Sequence, residues 1–273
     1  LFEKVFYGLF DIVAAKAVGK KKFRFKNKLV SLDATVIDLC LSLYDWAKFR
    51  RTKGAVKLHL VLDHDGYLPC FGIVTDGKVA DVKAAHQMHF SSGTIVVDDR
   101  GYNDYRLFAQ WTDAGVYFVT RMKDSALFEV VEERTPPQNR GILTDQIIRL
   151  TGPGAKHKCP NLLRRVEAVR EDTGDILVFL TNHQSLGAST IAAIYKDRWQ
   201  IELFFKALKQ NLKIKTFVGT SANAVKTQIW TALIALLLLI IFNLIFTRNF
   251  ATLQTLNVNL TQVCTIVIVA TGM

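Results

Sequence analysis

Residues 94–121 read TIVVDDRGYNDYRLFAQWTDAGVYFVTR, and the fold is predicted outward from this stretch. The β-branched run 94–98 predicts a short strand, residues 103–114 have the apolar spacing of a helix, and residues 116–121 predict another strand. Strands and a helix in this order indicate a sheet with helices packed on it.

The segments that precede this stretch extend the same sheet. Residues 29–35 predict a strand. Apolar and polar residues alternate over 53–62 and 67–75, which predicts the two arms of a hairpin. Residues 79–88 have a helical pattern. The combined order predicts an α/β fold with a mixed sheet and flanking helices.

The chain changes character near Lys123. From 124 to 187, β-prone stretches alternate with the turn clusters TPPQN, TGPG and EDTGD, which predicts a mostly β insertion between two parts of one core. Residues 189–212 then predict one long helix. We therefore divide the chain into a basic N-terminal arm (1–28), the first part of the core (29–123), the β-rich insertion (124–187), the second part of the core (188–250) and a tail without a clear pattern (251–273).

The charge of the chain predicts a polyanionic partner. The 273 residues carry a formal net charge of +11, and half of them are apolar, which excludes a disordered chain. Nucleic acid is the first expectation and an anionic membrane surface the second. Residues 16–28 hold seven basic residues and no acidic one, so they form either an arm that contacts phosphates or a solvated, disordered arm.

The cysteines argue against disulfide and zinc chemistry. The four of them are scattered and none lies in a CxxC pair, so neither a disulfide framework nor a cysteine zinc site is supported. Isolated thiols are typical of a reducing cytosol, and a cytoplasmic location is expected.

An apolar run near the C-terminus leaves two interpretations open. Residues 229–246 read IWTALIALLLLIIFNLIF and contain no charge, which is long enough for a membrane-spanning helix. A helix buried on all sides in an α/β protein has the same composition, and we prefer that interpretation because the rest of the chain is patterned as a folded domain in water.

The predicted long helix carries a stripe of polar residues. At 100° per residue Tyr195, Arg198, Glu202 and Lys209 fall within a narrow arc that borders the apolar face. A carboxylate fixed beside cations and a phenol forms a surface suited to phosphate. Its ordinary alternative is a surface ion pair of Glu202 with a neighbouring cation.

Aspartates at two predicted strands add to this stripe. Asp33 lies within the strand sequence LVSLDAT, and Asp98 and Asp99 end the strand in TIVVDDRGY. Ligands of α/β sheets gather at strand ends, so carboxylates from two strands and Glu202 from the helix converge. Hard oxygen ligands suit Mg²⁺, and two such ions would serve phosphoryl transfer. Arg121 and Lys123 follow the last strand of the core near these carboxylates, and we expect them either to contact DNA or to be solvated.

These segments resemble the insertion-sequence DDE transposases. The spacing Y-x2-R-x3-E-x6-K of that family is met by Tyr195, Arg198, Glu202 and Lys209, and SLDAT and DDRGY resemble its two aspartate regions. TNHQ, before the long helix, is also similar to the family. The resemblance covers residues 28–250 and is of the insertion-sequence-4 type.

The resemblance implies a fold, a reaction and a set of site residues. It implies an RNase H-like catalytic domain with a β-rich insertion, in which Asp33, Asp99 and Glu202 hold two Mg²⁺ ions that Mn²⁺ can replace. Asp99 is preferred to Asp98 because the family motif is D-x-G-Y. The phosphates of double-stranded DNA would be contacted by Tyr195, Arg198 and Lys209.

The implied reaction is DNA cleavage at the transposon ends followed by strand transfer from the freed 3′-OH. A homodimer in the synaptic complex is implied, with no small-molecule cofactor. Three alternatives stay open at this point: a truncated or inactive DNA-binding remnant, a standalone nuclease of the same fold, and a membrane-associated protein through 229–246.

Overall fold

The protein is described by a computed structural model covering residues 1–16, 22–40, 42–50, 53–211 and 217–246. It divides into two compact units. The first unit comprises Leu1–Phe25, Ala34–Val79 and Gln200–Met273, and the second comprises Lys26–Asp33 and Ala80–Trp199. The predicted tail, 251–273, and residues 17–21 of the predicted arm lie outside the described residues.

A hairpin and three helices build the first unit. Its elements are α1 (Phe2–Lys16), the second half of β1 (Leu29–Leu39), β2 (Lys48–Arg50), β3 (Lys53–Asp63), β4 (Leu68–Asp76), α6 (Trp199–Asn211, apart from its first residue) and α7 (Ala222–Phe246). The predicted hairpin is confirmed, because β3 pairs antiparallel with β4. Its turn contains Gly66 and Tyr67, both with positive φ.

The first unit has an apolar core to which its helices contribute. Phe6 and Val13 of α1 are fully buried, and the Phe6 ring lies 5.2 Å from that of Trp230 on α7. Residues 2–16 therefore form a helix of the core, which the sequence did not predict within the N-terminal arm. Because its apolar residues share the arm with many lysines, the composition of the whole segment hid them.

The helix α7 is long and apolar enough to cross a membrane by length and composition, over Ala222–Phe242. In the structure, one side of it packs into the core of the first unit through buried residues that include Ile229, Leu233 and Leu237. The other side keeps Leu238, Phe242 and Phe246 exposed, so the expected burial of the helix on all sides is wrong.

The second unit holds the parallel part of the sheet and the β-rich segment. Its elements are the first half of β1, α2 (Asp81–Ala85), β5 (Ile95–Val97), a 3₁₀ turn (Arg100–Tyr102), α3 (Tyr105–Asp113), β6 (Tyr117–Arg121), β7 (Phe128–Arg134), β8 (Ile142–Leu150), α4 (Ala155–Lys158), β9 (Leu163–Val169), β10 (Ile176–Thr181) and α5 (Ala188–Asp197).

The sheet is mixed, as predicted. β1 pairs parallel with β5, and β5 pairs parallel with β6, whereas β6, β10, β9, β8 and β7 follow one another in antiparallel pairs. The mixed α/β fold expected of an RNase H-like domain is thus confirmed. The strands β7–β10 do not stand apart from the core sheet, because β10 pairs directly with β6.

The predicted long helix over 189–212 is wrong in one respect. The structure has two helices there, α5 ending at Asp197 and α6 beginning at Trp199. Between them, the amide of Arg198 donates to the carbonyl of Tyr195, an i→i−3 bond tighter than that of an α-helix. Arg198 itself keeps helical dihedral angles, φ −53° and ψ −29°, so the change is confined to one tighter turn.

Candidate active site

The parallel pairing of β1 and β5 brings the two aspartate regions to one edge of the sheet. Leu29, Val30 and Ser31 lie opposite Ile95, Val96 and Val97. Counted on in the same register, Asp33 is level with Asp99, and paired positions of neighbouring strands face the same side of a sheet. This extended register therefore favours Asp99, rather than Asp98, as the carboxylate that lies level with Asp33.

Asp99 is held by the turn that follows β5. Its Oδ1 accepts a hydrogen bond of 2.7 Å from the amide of Gly101, so Asp99 caps the 3₁₀ turn. A Cβ on residue 101 would lie 2.8 Å from this same oxygen, closer than a side chain tolerates. Gly101 thus allows the carboxylate to fold back over its own turn while staying partly exposed.

Asp98 has a very different environment. Its side chain is fully buried, and neither carboxyl oxygen has a hydrogen-bond partner by geometry. Burial raises the pKa of Asp98 well above its usual range, and the neighbouring Asp99 and Asp33 raise it further, whereas Arg198 opposes them. The adjacent aspartates therefore differ. Asp99 is partly exposed and caps the turn, whereas Asp98 is buried and its charged form is disfavoured.

The cation and the phenol of the predicted stripe lie beside these carboxylates. The Nη1 of Arg198 is 3.7 Å from Oδ2 of Asp33, and both side chains are mostly buried. The same guanidinium lies over the ring of Tyr195, 5.3 Å from its centroid. Burial raises the pKa of Tyr195, while Arg198 and Arg121 lower it and Asp99 raises it, which places all these charges within reach of one phenol.

The residues after β5 and β6 complete this edge. Tyr102 is buried, and burial together with the fields of Asp33, Asp81, Asp98 and Asp99 raises its pKa. From the sequence, Tyr102 was expected only as part of the D-x-G-Y motif and had no separate role.

Asn103 was missed entirely by the sequence analysis. Its side-chain amide donates to Oγ1 of Thr120 and to the carbonyl of Arg121, each at 3.1 Å. Thr120 in turn donates to the carbonyl of Asp99, and Lys123 donates to the carbonyl of Asn103. The loop after Asp99 is thereby tied to the end of β6, where the predicted DNA contacts Arg121 and Lys123 lie. The position of Asn103 directly after the D-x-G-Y motif is the one feature of the sequence that points to this role.

Glu202 and Lys209 belong to the first unit. Both lie on α6, partly exposed, next to the buried side chains of Ile201, Phe205 and Leu208. The structure therefore brings Asp33, Asp99, Tyr195, Arg198 and Arg121 together in the second unit and places the third predicted carboxylate in the other.

The side chains of the described ranges do not form a preassembled cage for a metal ion. Among those residues no group of three or more histidine, cysteine, aspartate or glutamate side chains has the arrangement of a metal site. Mg²⁺ does not require such a cage, because it is commonly bound by one or two carboxylates with water and substrate phosphates. The oxygen donors of Asp33 and Asp99 suit this mode of binding.

A mixed sheet with one aspartate within β1, another just after β5, and a cation and a phenol beside them fits the DDE type, and comparison with known families identifies it. Residues 24–238 match the transposase DDE domain family. The chain belongs to this family.

The curated relatives of the chain are named as transposases, some of them for insertion sequence elements. A putative transposase from Sinorhizobium fredii is 35% identical over 239 residues, which are 86% of this chain and 66% of the relative. A probable transposase for the insertion sequence element IS5377 from Geobacillus stearothermophilus is 29% identical over 222 residues, 81% of this chain and 58% of the relative. The chain thus spans about two thirds or less of these relatives.

Among solved structures, the chain is similar to a piggyBac transposase in a synaptic complex with hairpin DNA. The TM-score is 0.49 at 10% sequence identity, over 96% of this chain and 56% of the other.

Proposed function

We propose that this chain is the catalytic core of an insertion-sequence transposase, which cleaves DNA at the transposon ends and transfers the freed 3′ ends to a target. The observation that carries the proposal is the meeting of Asp33, Asp99, Arg198 and Tyr195 at one sheet edge of a DDE-family chain. The carboxylates of Asp33, within β1, and of Asp99, just after β5, together with the adjacent guanidinium, are chemically suited to a phosphodiester.

Two Mg²⁺ ions would be held by Asp33, Asp99 and Glu202, and Mn²⁺ would substitute for them. When bound, such ions activate an attacking oxygen and stabilise the leaving oxygen of phosphoryl transfer. The role of the chain is to aim the carboxylates, and the Gly101 amide does this for Asp99.

The cations and the phenol would position the DNA backbone. Arg198 is held between Asp33 and the ring of Tyr195, so its planar guanidinium is fixed where it can donate to phosphate oxygens. Because burial raises its pKa, Tyr195 keeps its proton near neutral pH and donates it to a phosphate in a hydrogen bond. Contacts with phosphates farther along the DNA would come from Arg121, Lys123 and Lys209.

The partners follow from this assignment. The chain would bind double-stranded DNA, both transposon ends and target, as a homodimer in the synaptic complex, and it would work in the bacterial cytoplasm near the nucleoid. The net charge of +11 supports binding to a polyanion.

The test is Mg²⁺-dependent nicking of a duplex that carries the terminal sequence of the element encoding this chain. We expect nicking by the wild type and its loss in Asp33→Asn, Asp99→Asn and Glu202→Gln, with DNA binding retained. Asp124→Asn is the matched control, because this aspartate is 86% exposed and its ion pair among the described residues is with Arg100. Its nicking rate should equal that of the wild type.

Asp98→Asn separates the adjacent aspartates. If Asp99 is the ligand, Asp98→Asn retains far more activity than Asp99→Asn, and the reverse order would overturn the assignment of Asp99. DNA binding by the wild type without nicking would favour the inactive remnant. Nicking that survives in Asp33→Asn and Asp99→Asn would contradict the proposed mechanism.

A further inference from the structure

A cavity of about 230 Å³ lies in the second unit beside the loop that follows Asp99. Its lining includes the apolar residues Leu150 and Leu180 and the polar residues Asn103, Tyr105, Lys123 and Lys158. Two lysines and one aspartate are the charged residues of this lining. Lys158 was not singled out in the sequence.

The turn TGPG of the β-rich segment packs against two residues of the cavity wall, Lys158 and Tyr105. Gly154 has a φ of 72°, and the ideal position of a Cβ on it lies 3.7 Å from Nζ of Lys158. The Lys158 side chain therefore folds back over the turn. The phenol oxygen of Tyr105 lies 3.5 Å from the ideal Cβ position of Gly152, against the same turn. A cation and a hydroxyl are thus both held at the wall.

The lysines are not neutralised by the protein. Within the described part of the chain, neither Lys123 nor Lys158 forms an ion pair, and Lys123 donates only to the carbonyl of Asn103 at 3.2 Å. The one carboxylate of the lining, Asp104, accepts from two amides of α3 and lies 3.5 Å from His86. All three contacts involve Oδ1 of Asp104, so the lining carries this one carboxylate beside two lysines.

The cavity is connected to the aspartate loop by hydrogen bonds. Asn103 lines it and donates to Thr120, which donates to the carbonyl of Asp99. An anion bound between the lysines would therefore lie close to the proposed cleavage site. Because the chain is strongly basic and belongs to a DNA transposase family, the backbone of DNA is the polyanion that fits.

We propose that this cavity is a phosphate subsite, in which Lys158, Lys123 and Tyr105 hold a backbone phosphate of the DNA adjacent to the aspartate site. The inference rests on the proposed function and extends it to a residue of the β-rich segment. A lysine contact to phosphate contributes to affinity without reading the base sequence.

The experiment measures the affinity of the chain for a duplex with the element's terminal sequence, without divalent metal, between about 50 and 200 mM salt. Lys158→Ala should weaken binding and lower the slope of log K against log salt by about 0.9, the contribution of one phosphate. Lys156→Ala is the matched control, because it removes the same charge from the same short helix but does not line the cavity. It should leave the slope unchanged.

A second variant, Ser125→Glu, places a negative charge in the lining and should weaken binding more than Lys158→Ala does. Equal slopes for Lys158→Ala, Lys156→Ala and the wild type would overturn the subsite while leaving the proposed function intact. Failure of the folded wild type to bind DNA at all would overturn both.

Discussion

At the scale of single residues, environment separates side chains that the sequence treats alike. Asp98 and Asp99 are neighbours of the same chemical type, yet one is fully buried and the other caps a turn at the surface. The motif D-x-G-Y favoured Asp99, and the register of β1 with β5 supports the same residue for a reason that is independent of the resemblance. Which of them holds metal stays a prediction.

Burial of His183 makes its contribution to the stability of the fold depend on pH. Its ring stacks on Tyr117, with centroids 4.1 Å apart, and its Nδ1 accepts a hydrogen bond from the amide of Leu186. Burial lowers the pKa of His183, and Arg164 lowers it further. The folded chain therefore resists a proton that the unfolded chain accepts below about pH 6.5.

The expected result is a loss of stability as the pH falls from about 6.5 towards the lowered folded pKa, since the unfolded state there binds more protons. His183→Gln should remove part of this dependence, measured as the free energy of unfolding in urea between about pH 7.5 and 5. The exposed His157 supplies the control, and His157→Gln should keep the wild-type dependence. An unchanged pH dependence in His183→Gln would show that another group is responsible.

At the scale of elements, one arginine anchors the loop that leads into α5. Arg164 of β9 is 4% exposed and makes a bidentate pair with Asp145 of β8, with distances of 2.7 and 2.6 Å. Its Nη1 also donates to the carbonyls of Gln184 and Leu186. The β-rich segment therefore orients the helix that carries Tyr195, a connection that no local pattern reveals.

Arg164→Met should destabilise the fold by about 3–5 kcal/mol, because it leaves the Asp145 carboxylate buried without its partner. The double variant Arg164→Met with Asp145→Leu should recover much of this loss, since the uncompensated charge is gone. Arg170→Met is the comparison, because its pair with Asp172 is exposed and should contribute under about 1 kcal/mol. Equal losses in both arginine variants, measured by urea unfolding, would contradict the anchoring role.

At the scale of the whole molecule, the question left by the sequence is what α7 does. The helix has the length and hydropathy of a membrane span, yet Leu233 is fully buried in the core of the first unit, whereas Leu238 is 50% exposed. The inner face of α7 is thus part of the core, whereas its outer face is apolar and exposed, so the packing accounts for one side of the helix.

Leu233→Asp should therefore prevent folding, because a carboxylate would be buried without a partner. Leu238→Asp should cost less than about 1 kcal/mol and leave the chain in the aqueous fraction after alkaline extraction of membranes. The melting temperature and the partitioning of both variants are the measurements. Retention of the wild type in the membrane pellet would favour the membrane-associated alternative.

Much of the fold was predictable because its signals are local. The strands from β3 to β6 and the helix α3 follow from apolar periodicity and turn residues within a few positions of each element. The order of the motifs, from SLDAT to DDRGY to the segment with Arg198, predicted a transposase of the DDE type. These features depend on neighbours in the chain, so the sequence by itself determined them.

Only the tertiary structure decided the features that depend on distant partners. The burial of Phe6 in α1, the anchoring by Arg164 and the cavity at Lys158 join residues far apart in the chain. Helical periodicity carries no information on where a helix meets its neighbours, and a lysine count does not show which lysines remain unpaired. Their roles arise from packing and charge compensation, which exist only once the chain has folded.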